Sequence, residues 1–129
     1  MSELRRKSRE DVNEKANLEE KLSLFSEYFA PRTVGVLNGH DVMVVKAKGK
    51  LAWHRREDTE DFFLILAGRL VLRMRDRDDV VLEPGELFVV PRGVDHQPVA
   101  DGETHLLLIE PTGTPNTGYE ETAAPRREI

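Results

Sequence analysis

Apolar residues recur along this chain with two different periods, and the change of period divides it. Leu18, Leu22, Phe25 and Phe29 fall three or four residues apart and form one helical stripe. Asn17 is placed to cap its start, with Glu20 as the reciprocal partner. Pro31 ends it, because proline disfavours helix in the residue before it. The stripe predicts a helix over 17–29 that packs on the body of the protein or on a partner subunit. From Thr33 the pattern is one of strands and turns. Val34–Leu37, Asp41–Lys48 and Leu51–His54 are short β-type runs, with Asn38-Gly39 as a hairpin turn. Phe62–Leu66 is continuously apolar, as expected of a strand buried on both faces. Leu70, Leu72 and Met74 alternate with Val71, Arg73 and Arg75, a period of two with one dry face and one wet. Val80–Leu82, Leu87–Val90, Val94–Val99 and Thr104–Ile109 complete the series. Asp78-Asp79, Pro84-Gly85, Pro91-Arg92-Gly93 and Asp101-Gly102 separate them.

Many short strands with no helix between them predict an all-β sandwich or barrel. At 129 residues the chain is one domain, large enough to bury a core without staples. The expected layout is a polar N-terminal arm over 1–16, a barrel with its helix over 17–112, and a polar C-terminal tail over 113–129.

The absence of cysteine excludes disulfides and thiolate metal sites. Any metal must then use histidine, carboxylate or water, which favours manganese, iron, nickel or zinc. A net charge of −5 argues against a nucleic-acid partner, since phosphate contacts need clustered Lys and Arg. The basic cluster Arg5-Arg6-Lys7, with Arg9, reads as a solvated terminal face. No stretch approaches the length of a membrane span, and the N-terminus carries charge without an apolar h-region. The helix's polar face holds more acid than base, against a membrane-surface role. The expected compartment is the cytoplasm.

Two segments carry the candidate chemistry. The first is Trp53-His54-Arg55-Arg56-Glu57-Asp58-Thr59-Glu60-Asp61, just before the apolar run that ends near Gly68. The second is Gly85-Glu86-Leu87-Phe88-Val89-Val90-Pro91-Arg92-Gly93-Val94-Asp95-His96, with its histidine three residues after a Pro-x-Gly turn. Together they resemble the two signature motifs of the cupin family. The stretches Asn17-Leu-Glu-Glu-Lys-Leu-Ser-Leu-Phe and Glu110-Pro-Thr-Gly-Thr-Pro-Asn-Thr-Gly118 extend the resemblance to small single-domain cupins. The resemblance implies a jelly-roll, or double-stranded β-helix, barrel with a short N-terminal α-helix, assembled as a homodimer. It also implies a pocket inside the barrel where His54, His96 and the carboxylate of Asp61 hold a metal, with Glu60 as the alternative carboxylate.

The sequence departs from the pattern at Arg56, which stands where a second histidine is expected, and at Ala100, which replaces the last residue of the second motif. Residues two apart on a strand face the same way, so His54 and Arg56 should both point inward. Arginine does not lose its proton in a protein and cannot be a ligand. Three readings of Arg56 stay open. It swings to the barrel mouth beside a metal site; it pairs with Asp61 or Glu60 in a metal-free pocket and offers a fork to an anionic ligand; or it lies on the surface.

The resemblance implies a divalent-metal-dependent enzyme, isomerase or oxygenase, acting on a small oxygen-rich molecule of sugar or keto-acid type. Arg56 would orient an anionic group of that substrate. The alternative is a non-catalytic small-molecule-binding module with a degenerate site and no metal. No Ser-His-Asp or Cys-His arrangement suggests covalent catalysis. Trp53 is expected to face away from the site, under the helix or at a dimer contact. His105 is read as a rim residue or a fourth ligand, and His40 and Arg92 as solvated.

Overall fold

The computed structural model describes residues 13–113 and 127–129. Most of the expected N-terminal arm, and residues 114–126 of the expected tail, lie outside the described residues. The elements in chain order are α1 (Leu18–Leu22), β1 (Arg32–Leu37), β2 (His40–Lys50), β3 (Asp61–Ala67), β4 (Leu70–Met74), β5 (Val80–Leu82), β6 (Leu87–Val90), β7 (His96–Pro111) and β8 (Arg127–Glu128). The fold is the expected all-β barrel with a short helix outside it.

The spine of the barrel is β7. It pairs antiparallel with β2 along most of its length, from His40↔Pro111 to Lys50↔Val99. Its first residues also pair with β4, and His105–Leu107 pair with β3. A hairpin of β1 and β2 turns at Asn38 and Gly39, both at positive φ (48° and 73°), the conformation a tight two-residue turn requires. β6 lies against β3, and β8 runs parallel to β1.

The strands differ from their sequence patterns in three places. Val94–Val99 and Thr104–Ile109 are parts of one sixteen-residue strand, β7. Asp101 and Gly102 do not break it, because they sit exposed on a strand continued by pairing on both sides. Leu51–His54 is not a strand; it stays beside β7 through the Leu51 N–H, which donates to the Pro98 carbonyl at 3.1 Å, and through an isolated bridge at His54. β3 is not buried on both faces either. Asp61, Phe63 and Ile65 are buried, while Phe62, Leu64 and Leu66 on the other face are half-buried.

The helix is also shorter than its stripe. Asn17 caps it as expected, accepting from the Glu20 backbone N–H at 3.0 Å. It stops at Leu22 because the Ser23 hydroxyl donates back to the Glu20 carbonyl at 2.6 Å, a competing local bond. The stripe nevertheless keeps a purpose. Leu22 and Phe25 bury against Val44 on the outer face of the sheet, with Leu18, Leu107 and Ile129 packed around them. Phe29 instead turns inward onto the barrel core. That core is filled by alternate residues of several strands: Met43, Val45 and Ala47 of β2, Phe63 and Ile65 of β3, Leu70 and Leu72 of β4, and Leu106 and Leu108 of β7. At roughly 1.5–3 kcal/mol for each fully buried large apolar side chain, this interior is the main stabilising reserve. No helix among the described residues is long and apolar enough to cross a membrane.

Gly68 closes the β3–β4 turn at φ 85°, and a Cβ there would sit 2.7 Å from both the Glu103 carbonyl oxygen and Thr104 Oγ1. Thr104 cannot withdraw freely, since its hydroxyl bonds both the N–H and the C=O of Arg69. Gly68→Ala therefore meets backbone strain and a clash together. It should destabilise the protein by about 2–4 kcal/mol in urea unfolding, whereas Gly39→Ala, with open space around it, should cost about 1 kcal/mol. Equal losses at the two positions would contradict this reading.

Candidate metal centre

The site is assembled from the loop between β2 and β3 and from the starts of β3 and β7. His54 and His96 exchange both backbone hydrogen bonds: His54 N–H to His96 O at 3.0 Å, and His96 N–H to His54 O at 2.9 Å. This pairing sets the two imidazoles side by side, with ring centroids 4.4 Å apart and planes inclined by 57°. Asp61, the first residue of β3, completes the group. One ligand atom from each of His54, Asp61 and His96 lies within 4.8 Å of the others, and all three residues are buried.

The orientation of the rings follows from local backbone contacts. His54 Nδ1 lies 2.9 Å from the Ala52 carbonyl oxygen, and His96 Nδ1 lies 2.9 Å from that of Val94. A carbonyl only accepts, so each Nδ1 carries the proton. In the neutral imidazole Nε2 is then left as an acceptor. Burial pushes the pKa of His54 down from 6.5 to about 4, against the opposing pull of the Ala52 carbonyl. The edge of the Phe63 ring packs on His96, 6.1 Å between centroids at 82°.

Arg56 is buried within the same chamber. Its Nε lies 2.9 Å from Asp61 Oδ1, and its Nη1 lies 3.2 Å from Glu110 Oε2. Its carbonyl accepts from the Gly93 N–H at 2.8 Å, which ties the first motif to the Pro-x-Gly turn of the second. Arg56 thus lies inside the chamber beside Asp61, neither on the surface nor swung to the barrel mouth, and not beside Glu60. Asp61 Oδ2 also lies 2.8 Å from His96 Nε2, but without hydrogen-bond alignment. A cluster of this kind is costly to desolvate, and removing one member from it is expected to cost about 3–5 kcal/mol.

The other candidates fall elsewhere. Glu60 is exposed and outside the group. His105 points away from the chamber and pairs with Glu103 at 2.7 Å. His40 is exposed beside its turn, as is Arg92. Trp53 does face away from the site. It stacks on the guanidinium groups of Arg75 and Arg73, 4.2 and 5.3 Å from its ring centroid, rather than under α1. Glu110 was not among the residues singled out by sequence. Its signal was the period of two in β7, which carries Leu106 and Leu108 inward and Glu110 with them.

Of the three donors, His54 lines a cavity of ≈ 40 Å³, walled mostly by apolar side chains, with Arg56 and Glu110 as its other polar members.

Comparison with known proteins agrees with this architecture. The family model described as the cupin domain matches residues 41–110. A solved cupin-2 domain containing protein from Shewanella frigidimarina NCIMB 400 superposes with a TM-score of 0.72 at 35% identity, over 74% of this chain and 93% of that one. An uncharacterized protein of Bacillus subtilis strain 168, YdbB, is 26% identical over 65% of this chain and 74% of its own length. The 3-hydroxyanthranilate 3,4-dioxygenase of Bos taurus is 40% identical over 57 residues, which cover 42% of this chain and 20% of the dioxygenase. Barrel topology, the pairing of the two motifs and the extent of the family match lead to one conclusion: the chain belongs to the cupin family.

Proposed function

We propose that this cupin is a divalent-metal-dependent enzyme of the oxygenase class that acts on a small molecule inside the barrel. The observation that carries the reading is the convergence of three donors. Two imidazoles present Nε2, and Asp61 adds a carboxylate, with no aligned hydrogen bond to either of its oxygens. Two neutral imidazoles and one carboxylate form a facial set that leaves coordination positions open. The partial likeness to a dioxygenase favours oxygenase over isomerase chemistry.

His54, His96 and Asp61 would hold manganese, iron, nickel or zinc, and the bound ion would supply Lewis-acid polarisation of a ligand oxygen. The chain's own groups do the rest. The carbonyls of Ala52 and Val94 hold each Nδ1 proton and aim each Nε2 inward. Arg56 steadies the Asp61 carboxylate and Glu110 steadies Arg56. The apolar walls exclude bulk water. Arg56 is committed to two carboxylates, so an anionic substrate would have to displace Glu110 to reach it.

The metal-free binding module is kept as the second reading because one observation favours it: a guanidinium already stands 2.9 Å from Asp61. Metal analysis of protein purified without chelator separates the two. The enzyme reading expects near one metal per chain. His54→Ala, His96→Ala and Asp61→Asn should each weaken metal binding by at least about 10- to 100-fold, with Glu60→Gln unchanged. If the native protein carries almost none and Arg56→His raises occupancy sharply, the module reading stands instead.

A ligating His54 must be neutral, and its lowered pKa has a consequence for stability. Between pH 6.5 and about 4 the unfolded chain takes up a proton at this residue and the folded chain does not. Its contribution is therefore complete above pH 6.5 and falls as the pH drops toward 4. Metal-free protein should lose more urea stability between about pH 7 and about pH 4.5 than the His54→Gln variant does. Identical losses would show that His54 is not the group responsible.

A further inference from the structure

Phe29 is the one residue of the helical stripe that enters the barrel, and it does so in an unusual conformation. Its φ is 55°, in the left-handed region, where a bulky side chain is an outlier. Such an outlier persists only where its surroundings fix it. The strap around it is held at several points. The Phe29 N–H donates to the Lys46 carbonyl at 2.7 Å, and Lys46 Nζ donates to the Phe25 carbonyl at 2.7 Å. The Tyr28 hydroxyl donates to Glu103 Oε1 at 3.0 Å. Arg32 bonds the Ala30 carbonyl and Glu27 at 2.9 and 2.6 Å.

The strap's inner surface is part of the chamber wall. Phe29 and Pro31 line the same cavity as His54, Arg56 and Glu110, with Phe63 and Leu106 among the other walls. The volume of that cavity is ≈ 40 Å³. An apolar protein cavity known to take up benzene measures about 150 Å³, and one water needs about 10–15 Å³. The enclosed part of the chamber therefore has room for a few non-hydrogen atoms, less than a six-membered ring needs.

We propose that Phe29 is the size-determining residue of this cupin, a stopper fixed in the barrel by the strap. With it in place, the ligand is an acyclic molecule of a few heavy atoms, with an oxygen at the histidine end and an apolar remainder. Pyranose sugars and aromatic compounds are excluded. This deepens the functional reading above and rests on it for the chamber being the ligand site. Phe29 lines the ligand space and supplies no metal donor, so the two claims separate experimentally.

The test uses the full chain and phenol, a single ring with one oxygen. Binding is followed by methyl NMR shifts of Val45, Leu106 and Leu108, with metal content measured on the same samples. The native protein should show no saturable shift of these methyls. Phe29→Gly, which removes the ring and suits a positive φ, should bind phenol at least about tenfold more tightly than the native chain. Phe29→Leu should fall between them, and it serves alone if the glycine variant does not fold. Native protein that binds phenol in the chamber as tightly as the variants would overturn the proposal. So would a folded variant with no gain. A gain in protein that takes up no metal supports the stopper and removes the metal assignment alone.

Discussion

The whole site depends on one local interaction, the reciprocal pair of backbone hydrogen bonds between His54 and His96. Neither residue lies where a long strand pair would force them together. His54 is in a connecting loop that joins β7 at this isolated bridge and, three residues earlier, through Leu51, and His96 begins β7. Two short N–H···O contacts bring the loop to the strand and leave both rings on the interior side. Because side chains alternate along an extended chain, Arg56 follows His54 inward. The Gly93 N–H then fixes the Arg56 carbonyl. An interior backbone polar group that lost its partner would cost about 1–3 kcal/mol, so this arrangement is strongly specified.

The interior contains two opposed environments. Most of it is tightly packed hydrocarbon from β2, β3, β4 and β7, which stabilises the fold in proportion to the area removed from water. At one end this gives way to buried ionic and imidazole groups whose desolvation is unfavourable. The apolar part is what allows the polar end to be kept dry, and a dry site strengthens every electrostatic contact in it. The same environment explains the depressed pKa of His54, since burial opposes the imidazolium form. On the outside of the sheet a second apolar cluster, built from Leu22, Phe25 and Val44, anchors the segment that leads to Phe29. The short helix thus acts on the chamber through the strap.

Much of this was legible in the sequence because the governing rules are local. The Asn38-Gly39 turn, the Asn17 cap and the alternation in β4 are each decided by a few neighbouring residues. The motif spacing around His54 and His96 also told which residues would meet. What could not be read were effects of partners distant in sequence. Asp101 and Gly102 break strands in isolation, yet flanking pairing with β2 carries β7 through them. Phe29 fits the helical stripe by spacing, but the chain leaves the helix at Ser23 and the residue ends in the barrel. Glu110 opens the stretch that extends the resemblance, but nothing in that stretch assigns it a role; the role comes from facing Arg56 across the interior. The choice between Asp61 and Glu60 is of the same kind, since the β3 register alone turns Asp61 inward.

The most direct measurement is anomalous diffraction from crystals of the native protein grown with manganese or iron, collected above and below the metal's absorption edge. A single interior peak within bonding distance of Nε2 of His54, Nε2 of His96 and a carboxylate oxygen of Asp61 is the predicted result. An interior without a peak, with Arg56 still on Asp61, would contradict the central claim that these three donors form a metal site.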